Sequence, residues 1–206
     1  MNQQWLAWAR KLQSISQTGL HFNQNPFDAV RYREIQSVAV EMMAAYSDSE
    51  PEYIQNLFDT ETGYATPKVE VRGVVFQEDS LLMVKERMDG KWTIPGGWAD
   101  INESPSEAVV REIREESGYQ VRCIKLLGVY DRAKHPHEPP CPYHVYKIVF
   151  LCELIGGTPG SSIETEQVGF FRENNIPELS LARITPGQIT RFFTHHQDIS
   201  LPTDFD

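Results

Sequence analysis

Cysteine, long apolar runs and clustered positive charge are all scarce in this chain of 206 residues. The cysteines, Cys123, Cys141 and Cys152, lack CxxC spacing, which argues against a disulfide framework or a structural zinc site and favours buried thiols. No apolar run approaches the roughly 20 residues of a membrane span, and no basic cluster with a following apolar segment begins the chain. We therefore expect a cytoplasmic protein with no membrane partner.

The charge balance limits the partners further. Lys and Arg number 19 against 29 Asp and Glu, which gives a net charge of −10. Such a surface repels polyanions unless basic residues gather in one place, and the sequence shows no such gathering. DNA is therefore not an expected partner, whereas a small phosphate-bearing ligand is compatible if metal ions supply positive charge.

Residues 1–63 have the pattern of a small all-helical domain. The first predicted helix has Gly19 as its stop signal, and its apolar residues share one face at Trp5, Trp8, Leu12 and Ile15. A second helix is predicted from Asn25-Pro26 to about Tyr46, and a capping box at Ser49–Glu52 predicts a third. We expect this domain either to form a homodimer or to cover one side of the domain that follows.

Residues 64–206 have the texture of an α/β domain. Short β-type runs are predicted at 69–76, 81–85, 121–130 and 145–154, with one strong helix between the second and the third. An apolar segment at 168–171 and a helix from about Pro186 to His195 complete the order. This succession predicts an α/β (α+β) sandwich.

The strong helix has clear start and stop signals. Ser104 is the expected N-cap, Pro105 the first helical residue and Glu107 the reciprocal partner of a capping box, while Gly118 suits a left-handed C-cap. The helix is therefore predicted over residues 105–117.

One flank of this helix carries three carboxylates, Glu112, Glu115 and Glu116, next to an apolar stripe. Like charges at these spacings repel, so either solvent covers an ordinary acidic face or cations offset the repulsion. Hard divalent cations such as Mg²⁺ and Mn²⁺ prefer such oxygen ligands. Glu103 could reach the same site, and Arg111 could pair with Glu115 or hold a neighbouring carboxylate.

From Gly97 to Tyr119 the chain matches the pattern Gly-x5-Glu-x7-Arg-Glu-U-x-Glu-Glu-x-Gly-U, where U is a bulky aliphatic residue. Only Tyr119, at the last apolar place, departs from it. The chain thus resembles the Nudix hydrolases, and the resemblance implies an α/β/α sandwich with a mixed sheet. It also implies at least two Mg²⁺ or Mn²⁺ ions bound by the Gly96 carbonyl and by Glu112, Glu115 and Glu116.

The resemblance implies roles for further residues. Arg111 would orient its neighbours, and Glu103 would be an auxiliary ligand or would position water. A remaining carboxylate, as ligand or general base, would come from outside the box, with Glu164 and Glu166 as candidates.

Beyond the box, the chain resembles a Nudix subgroup that hydrolyses nucleoside diphosphate derivatives (NDP-X) such as CDP-choline, ADP-ribose and UDP-sugars. The products would be NMP and X-phosphate, formed by water attack on phosphorus. Hydrolysis of nucleoside triphosphates or of RNA ends at the same site is an alternative, and a ligand-sensing Nudix domain without catalysis is a third.

The Pro-rich segment 131–144 is a candidate for substrate recognition, because long irregular loops in compact domains are often functional. Arg132, Lys134 or His135 could meet a phosphate or act on the leaving group, and Tyr143 could stack on a base. A stiff surface connection is the alternative. Further candidate phosphate contacts, at or near strand ends, are Arg72 and Arg87.

Overall fold

The structure is a computed structural model and describes residues 4–206; residues 1–3 of the predicted helical domain lie outside this range. The chain forms two compact units. The first extends to Pro67 and includes Pro140–His144, whereas the second comprises Lys68–Pro139 and Val145–Asp206. In the described range, no helix is long and apolar enough to span a bilayer.

The first unit is helical, with α1 at Gln4–Phe22, α2 at Pro26–Ala45 and α3 at Pro51–Asp59. Asn25 caps α2, because its side chain accepts a hydrogen bond from the Phe27 amide. The three helices share one apolar core made of Leu6, Ala9, Ala39, Val40, Met43, Ile54 and Phe58.

Two expectations for the ends of these helices are wrong. Helix α1 continues past Gly19 to Phe22, because this glycine serves close packing: a Cβ there would lie 2.3 Å from the Tyr32 ring of α2. Helix α3 has Glu50 as its N-cap with no side-chain cap hydrogen bond, so the expected Ser49–Glu52 capping box is absent from this described segment.

The shared apolar face of α1 is only partly buried. Trp8 is 57% exposed and Ile15 is 41% exposed. The buried side of α1 includes Gln13 and Ser16, and the Ser16 hydroxyl donates to the Tyr32 carbonyl at 2.7 Å. The buried side of α1 is therefore partly polar, while part of its apolar surface is exposed.

The second unit contains a mixed sheet of seven strands. Their bounds are β1 Lys68–Gln77, β2 Ser80–Glu86, β3 Trp92–Thr93, β4 Tyr119–Asp131, β5 Val145–Gly157, β6 Thr165–Arg172 and β7 Asp204–Phe205. The strand order is β3-β2-β1-β5-β4-β7, and β6 also pairs with β2. Strands β1 and β5 are parallel, as are β4 and β7, while the other pairs are antiparallel.

A helix covers each face of this sheet. Helix α4, at Pro105–Ser117, packs Ala108, Val109 and Ile113 on one face, and α5, at Pro186–Gln197, packs Ile189 and Phe192 on the other. Strand residues alternate between the two cores, as the two-residue period of a strand requires. The predicted α/β sandwich with a preceding helical segment is confirmed.

The structure confirms α4 at its predicted bounds. Ser104 and Glu107 form both halves of the capping box, and Gly118 ends the helix at a φ of 78°. The polar flank of α4 is thereby fixed beside the preceding loop.

Candidate active site

The Gly96-Gly97 turn lies against strand β1. The Val71 amide donates to the Gly97 carbonyl at 2.8 Å, and the Gly73 amide donates to the Pro95 carbonyl at 2.9 Å. Gly96 has a φ of 141°, and a Cβ there would lie 2.1 Å from the Val71 carbonyl oxygen. Only glycine fits this approach of the turn to β1.

Glu116 of α4 is anchored to this turn. Its Oε2 accepts a hydrogen bond from the Gly96 amide at 2.9 Å, and the residue is only 4% exposed. Burial raises the pKa of Glu116 to about 8, although Arg72 and the Gly96 amide act in the opposite direction. The Thr165 hydroxyl donates to the Glu116 carbonyl at 2.7 Å and fixes the backbone of α4 at this residue.

Glu112 lies one turn earlier on the same flank. Burial raises its pKa, while the Arg111 guanidinium works against that change. A Cβ at Gly97 would lie 2.9 Å from Oε1 of Glu112, so the absence of a side chain leaves room for this carboxylate. The second glycine of the turn therefore shapes the space beside Glu112.

Arg111 connects the remaining carboxylates. Its Nε contacts both carboxylate oxygens of Glu103 at 3.0 Å, and its Nη1 donates to Glu112 at 2.8 Å and to Glu115 at 3.1 Å. Burial would lower the pKa of Arg111, but these contacts raise it above its ordinary value. Arg111 thus offsets the carboxylate repulsion expected on this flank.

The donor atoms on this flank suit a hard divalent cation. Across residues 4–206, no group of three or more His, Cys, Asp or Glu side chains is arranged to hold a metal ion. Glu112, Glu115 and Glu116 nevertheless offer only oxygen atoms, the donor type that Mg²⁺ and Mn²⁺ prefer. The donor chemistry of this flank therefore fits such an ion, although the side chains are not gathered around a common point in this structure.

The candidate carboxylates from outside α4 flank a buried residue of β6. Glu166 is exposed and forms an ion pair with Lys85 at 2.5 Å, and that pairing lowers the pKa of Glu166. Glu164 is also exposed, and its backbone carbonyl accepts from the Arg87 amide. Thr165, between them, is the residue that bonds to α4.

Sequence reasoning missed Glu86, at the end of β2. It is 5% exposed and forms an ion pair with Arg183 at 2.9 Å. Burial raises its pKa, and its charge contributes to the raised pKa of Glu116. The available signal was a carboxylate separated by only one residue from the apolar run at 81–84.

A buried ion cluster, also missed, includes the predicted phosphate contact Arg72. Oε1 of Glu70 accepts from Arg72 Nε at 2.6 Å and from Lys147 Nζ at 2.7 Å. Arg72 also donates to the Ile94 carbonyl at 3.0 Å, just before the glycine turn. Burial lowers the pKa of Lys147 to about 8. Charged residues at inward positions of otherwise apolar strands were the signal for this cluster.

The Pro-rich segment is divided between the two units. Arg132 is buried and donates to the Pro139 carbonyl at 3.0 Å. The His135 ring lies 3.0 Å from a carboxylate oxygen of Asp206, and His137 is buried, where desolvation lowers its pKa to about 3. These contacts hold residues 131–139 within the second unit.

The other candidate substrate contacts belong to separate segments of the chain. Arg87 is exposed and donates to the Ser162 carbonyl at 3.1 Å, and Lys134 is exposed at the end of a short 3₁₀ turn. Tyr143 is half-buried in the portion of the segment that belongs to the first unit. The roles expected for these side chains stay predictions.

Comparisons with known proteins find matches to both the helical segment and the α/β domain. Residues 66–192 match the family described as the NUDIX domain, and residues 3–58 match the family described as "UDP-X-like, N-terminal oligomerisation domain". A protein of Bacillus subtilis (strain 168), provisionally named as the ADP-ribose pyrophosphatase YjhB, is 44% identical over 98% of this chain and 97% of its own length.

Solved structures show the same relationship. An ADP-ribose pyrophosphatase from Streptococcus suis 89-1591 is 35% identical and aligns with a TM-score of 0.63 over 68% of this chain and 100% of its own. A UDP-X diphosphatase structure is 28% identical, with a TM-score of 0.63 over 98% of both chains. Nudix hydrolases generally use divalent metal ions. The signature carboxylates lie on α4, and the Nudix domain matches more than half of the chain. This chain therefore belongs to the Nudix hydrolase family.

Proposed function

We propose that this enzyme hydrolyses the pyrophosphate linkage of an NDP-X substrate to NMP and X-phosphate. One water molecule is consumed, and its oxygen forms the new bond to phosphorus as the P–O–P bridge breaks. ADP-ribose is the first substrate to test, because the relative matching almost the whole chain is provisionally named for it. CDP-choline and a UDP-sugar are the other members of the proposed class.

The observation that supports this proposal is the assembly of the α4 carboxylates against the glycine turn. Glu116 is bonded to the Gly96 amide, and Glu112 fills the space that a Gly97 side chain would occupy. Glycine also exposes backbone that a diphosphate can approach closely. The site therefore combines oxygen donors with a turn whose backbone carries no side chains at Gly96 and Gly97.

We assign at least two Mg²⁺ or Mn²⁺ ions to this site, with Glu112, Glu115, Glu116 and the Gly96 carbonyl as ligands. When bound, such ions supply the positive charge that phosphate oxygens require and activate a water for attack. Arg111 then orients Glu112 while its Nε holds Glu103, which we propose positions water or serves as an auxiliary ligand. Glu164 and Glu166 stay candidates for the residual ligand or base.

Substituting the two most buried α4 carboxylates tests the proposal. Glu112→Gln and Glu116→Gln keep the side-chain shape but remove the charge, so each should lower turnover of ADP-ribose by roughly 100-fold or more. Glu153→Gln is the matched control, because this exposed residue of β5 pairs with exposed Arg122, and its turnover should equal that of the wild type. Undiminished turnover in both α4 variants would overturn the assignment.

A substrate panel separates the alternatives. ADP-ribose, CDP-choline, a UDP-sugar, a nucleoside triphosphate and a 5′-triphosphate oligonucleotide are compared at one metal concentration. NMP and X-phosphate from an NDP-X compound support the proposal. Faster turnover of the triphosphate or the oligonucleotide favours the alternative hydrolase activities, and ligand binding without any product favours a sensing domain.

We also propose that the helical domain at residues 1–63 forms a homodimer. Its α1 helix exposes Trp8, Ile15 and Phe22 at seven-residue spacing, and its α2 helix exposes Phe27 and Val30. Contiguous exposed apolar stripes of this kind are typical of protein interfaces. The match of residues 3–58 to an oligomerisation domain supports the same proposal.

Sedimentation analysis of the full chain tests the homodimer. The wild type should sediment with twice the mass of one chain, and Phe22→Glu should shift it toward the monomer. Asp59→Asn, at the end of α3, provides a control that removes a charge without altering these stripes. A monomeric wild type at micromolar concentration would contradict the proposal.

A further inference from the structure

Two thiols lie opposite each other in the sheet of the second unit. Cys123 of β4 pairs directly with Cys152 of β5 in an antiparallel register, and their Sγ atoms are 3.6 Å apart. The sequence places these residues 29 positions apart with no CxxC spacing, so their proximity is a product of the fold.

The backbone at this pair suits a covalent link. Directly opposed residues of antiparallel strands have Cα atoms about 4.5–5.5 Å apart, which lies within the range of about 4.4–6.8 Å found in disulfides. The pairing register shifts between Cys123 and Lys125, so the strand has a local irregularity at the pair. Both side chains already point to the face that packs against α4.

We propose that Cys123 and Cys152 form a reversible dithiol oxidation site that closes to a disulfide. Cys123 is half-buried and Cys152 is buried at 2% exposure, so an oxidant reaches Cys123 first and Cys152 resolves the product. The contact with Cys152 lowers the pKa of Cys123, whereas the contact with Cys123, followed by burial, raises the pKa of Cys152. This asymmetry gives the accessible sulfur the greater thiolate character.

The oxidant is a peroxide, with hydrogen peroxide as the simplest. The Cys123 thiolate attacks one peroxide oxygen, the O–O bond breaks, and the departing hydroxide takes up a proton to become water, leaving a sulfenic acid. The Cys152 sulfur then attacks the Cys123 sulfur, the S–O bond breaks, and hydroxide leaves with the Cys152 proton as water. Two thiols lose two electrons in total, and one peroxide gains them.

This site adjoins the first turn of α4. The Cys123 thiol lies 3.6 Å from the Ser106 carbonyl as a weak donor, and Cys152 belongs to the same core cluster as Ala108 and Val109 of α4. A disulfide has no S–H group, so oxidation removes the contact with Ser106. The modification therefore changes the packing beneath the helix that carries the candidate catalytic carboxylates.

Mass spectrometry of the full chain tests the site without reference to the proposed hydrolysis. Hydrogen peroxide should lower the intact mass of the reduced protein by about 2 Da, the two thiol hydrogens. Denaturing alkylation should then label Cys141 alone, and peptide mapping should join the peptides of Cys123 and Cys152. Dithiothreitol should restore the mass and the alkylation of all three thiols.

Variants separate the pair from the third cysteine. Cys141→Ser should still lose about 2 Da, whereas Cys152→Ala should trap a Cys123 sulfenic acid that a dimedone probe labels. If Cys152→Ala does not fold, the peptide map of the oxidised wild type alone tests whether Cys123 and Cys152 are joined. Three results would each overturn the proposal. The first is stepwise oxygen addition at Cys123 while Cys152 can still be alkylated, and the second is a disulfide that includes Cys141. The third is a protein whose three thiols can all still be alkylated after peroxide treatment.

Discussion

Glu70→Gln should destabilise the second unit strongly, because one carboxylate serves two buried cations. Arg72 and Lys147 both donate to the same oxygen of Glu70, and all three residues are at most 7% exposed. Glutamine keeps the side-chain volume but leaves both cations without their buried anion. Removing one member of a buried ionic cluster in this way costs about 3–5 kcal/mol of unfolding free energy.

The pKa of Glu70 gives a similar magnitude. Burial alone would raise this pKa, but Arg72 and Lys147 lower it from 4.5 to about 2. That shift corresponds to about 3 kcal/mol of stability. Because the folded-state pKa is depressed, this contribution is present above pH 4.5 and is lost as the pH falls from 4.5 towards 2. The difference between the wild type and Glu70→Gln should narrow over the same interval.

Urea denaturation at pH 7, followed by circular dichroism, measures the loss. The matched control is Glu153→Gln, whose pair with Arg122 is exposed and should contribute only about 0–1 kcal/mol. A loss below about 1 kcal/mol for Glu70→Gln, or a loss equal to that of the control, would refute the inferred energetic role of the buried cluster.

Three further predictions concern the candidate site. Gly97→Ala should lower turnover at least about 10-fold, because the added Cβ would lie 2.9 Å from Glu112. Gly187→Ala is the control, because Gly187 has open space around it, and this variant should retain wild-type turnover in the same assay. Ser104→Ala should lower the unfolding free energy by about 1 kcal/mol in urea titrations, because it removes the cap on the Glu107 amide; no loss would contradict this cap's role. Chelation with EDTA should abolish NDP-X hydrolysis and added Mg²⁺ or Mn²⁺ should restore it, whereas full activity in excess chelator would contradict metal dependence.

Local sequence signals were sufficient for α4. Ser104, Pro105, Glu107 and Gly118 specify both ends of the helix through interactions within a few residues, so the predicted bounds of 105–117 agree with the structure. The same helix positions Glu112 and the other signature carboxylates. The part of the site that lies on α4 could therefore be predicted from the sequence.

Long-range contacts limited the rest of the prediction. Gly19 was expected to stop α1, but it instead permits contact with Tyr32 on the next helix. The apolar face predicted to include Trp8 is partly exposed, and the buried side of α1 instead includes Ser16, which donates to the Tyr32 carbonyl. Neither partner is identifiable from the sequence of α1 alone.

The same limit applied to the ion cluster around the site. Lys147 and Glu70 are 77 residues apart and meet only because β1 and β5 are parallel neighbours. His135 likewise meets Asp206 through the return of the chain terminus to β4. The sequence suggested Arg72 and His135 only as substrate contacts and could not identify the carboxylates that they meet in the fold.

Product analysis of ADP-ribose incubated with the enzyme and Mg²⁺ in ¹⁸O-labelled water tests the central claim most directly. The proposed reaction predicts AMP and ribose 5-phosphate, with the label on one of the two phosphates, and predicts that Glu116→Gln largely eliminates both products. Intact ADP-ribose after prolonged incubation, with CDP-choline and a UDP-sugar equally unchanged, would contradict hydrolysis of NDP-X compounds by this enzyme.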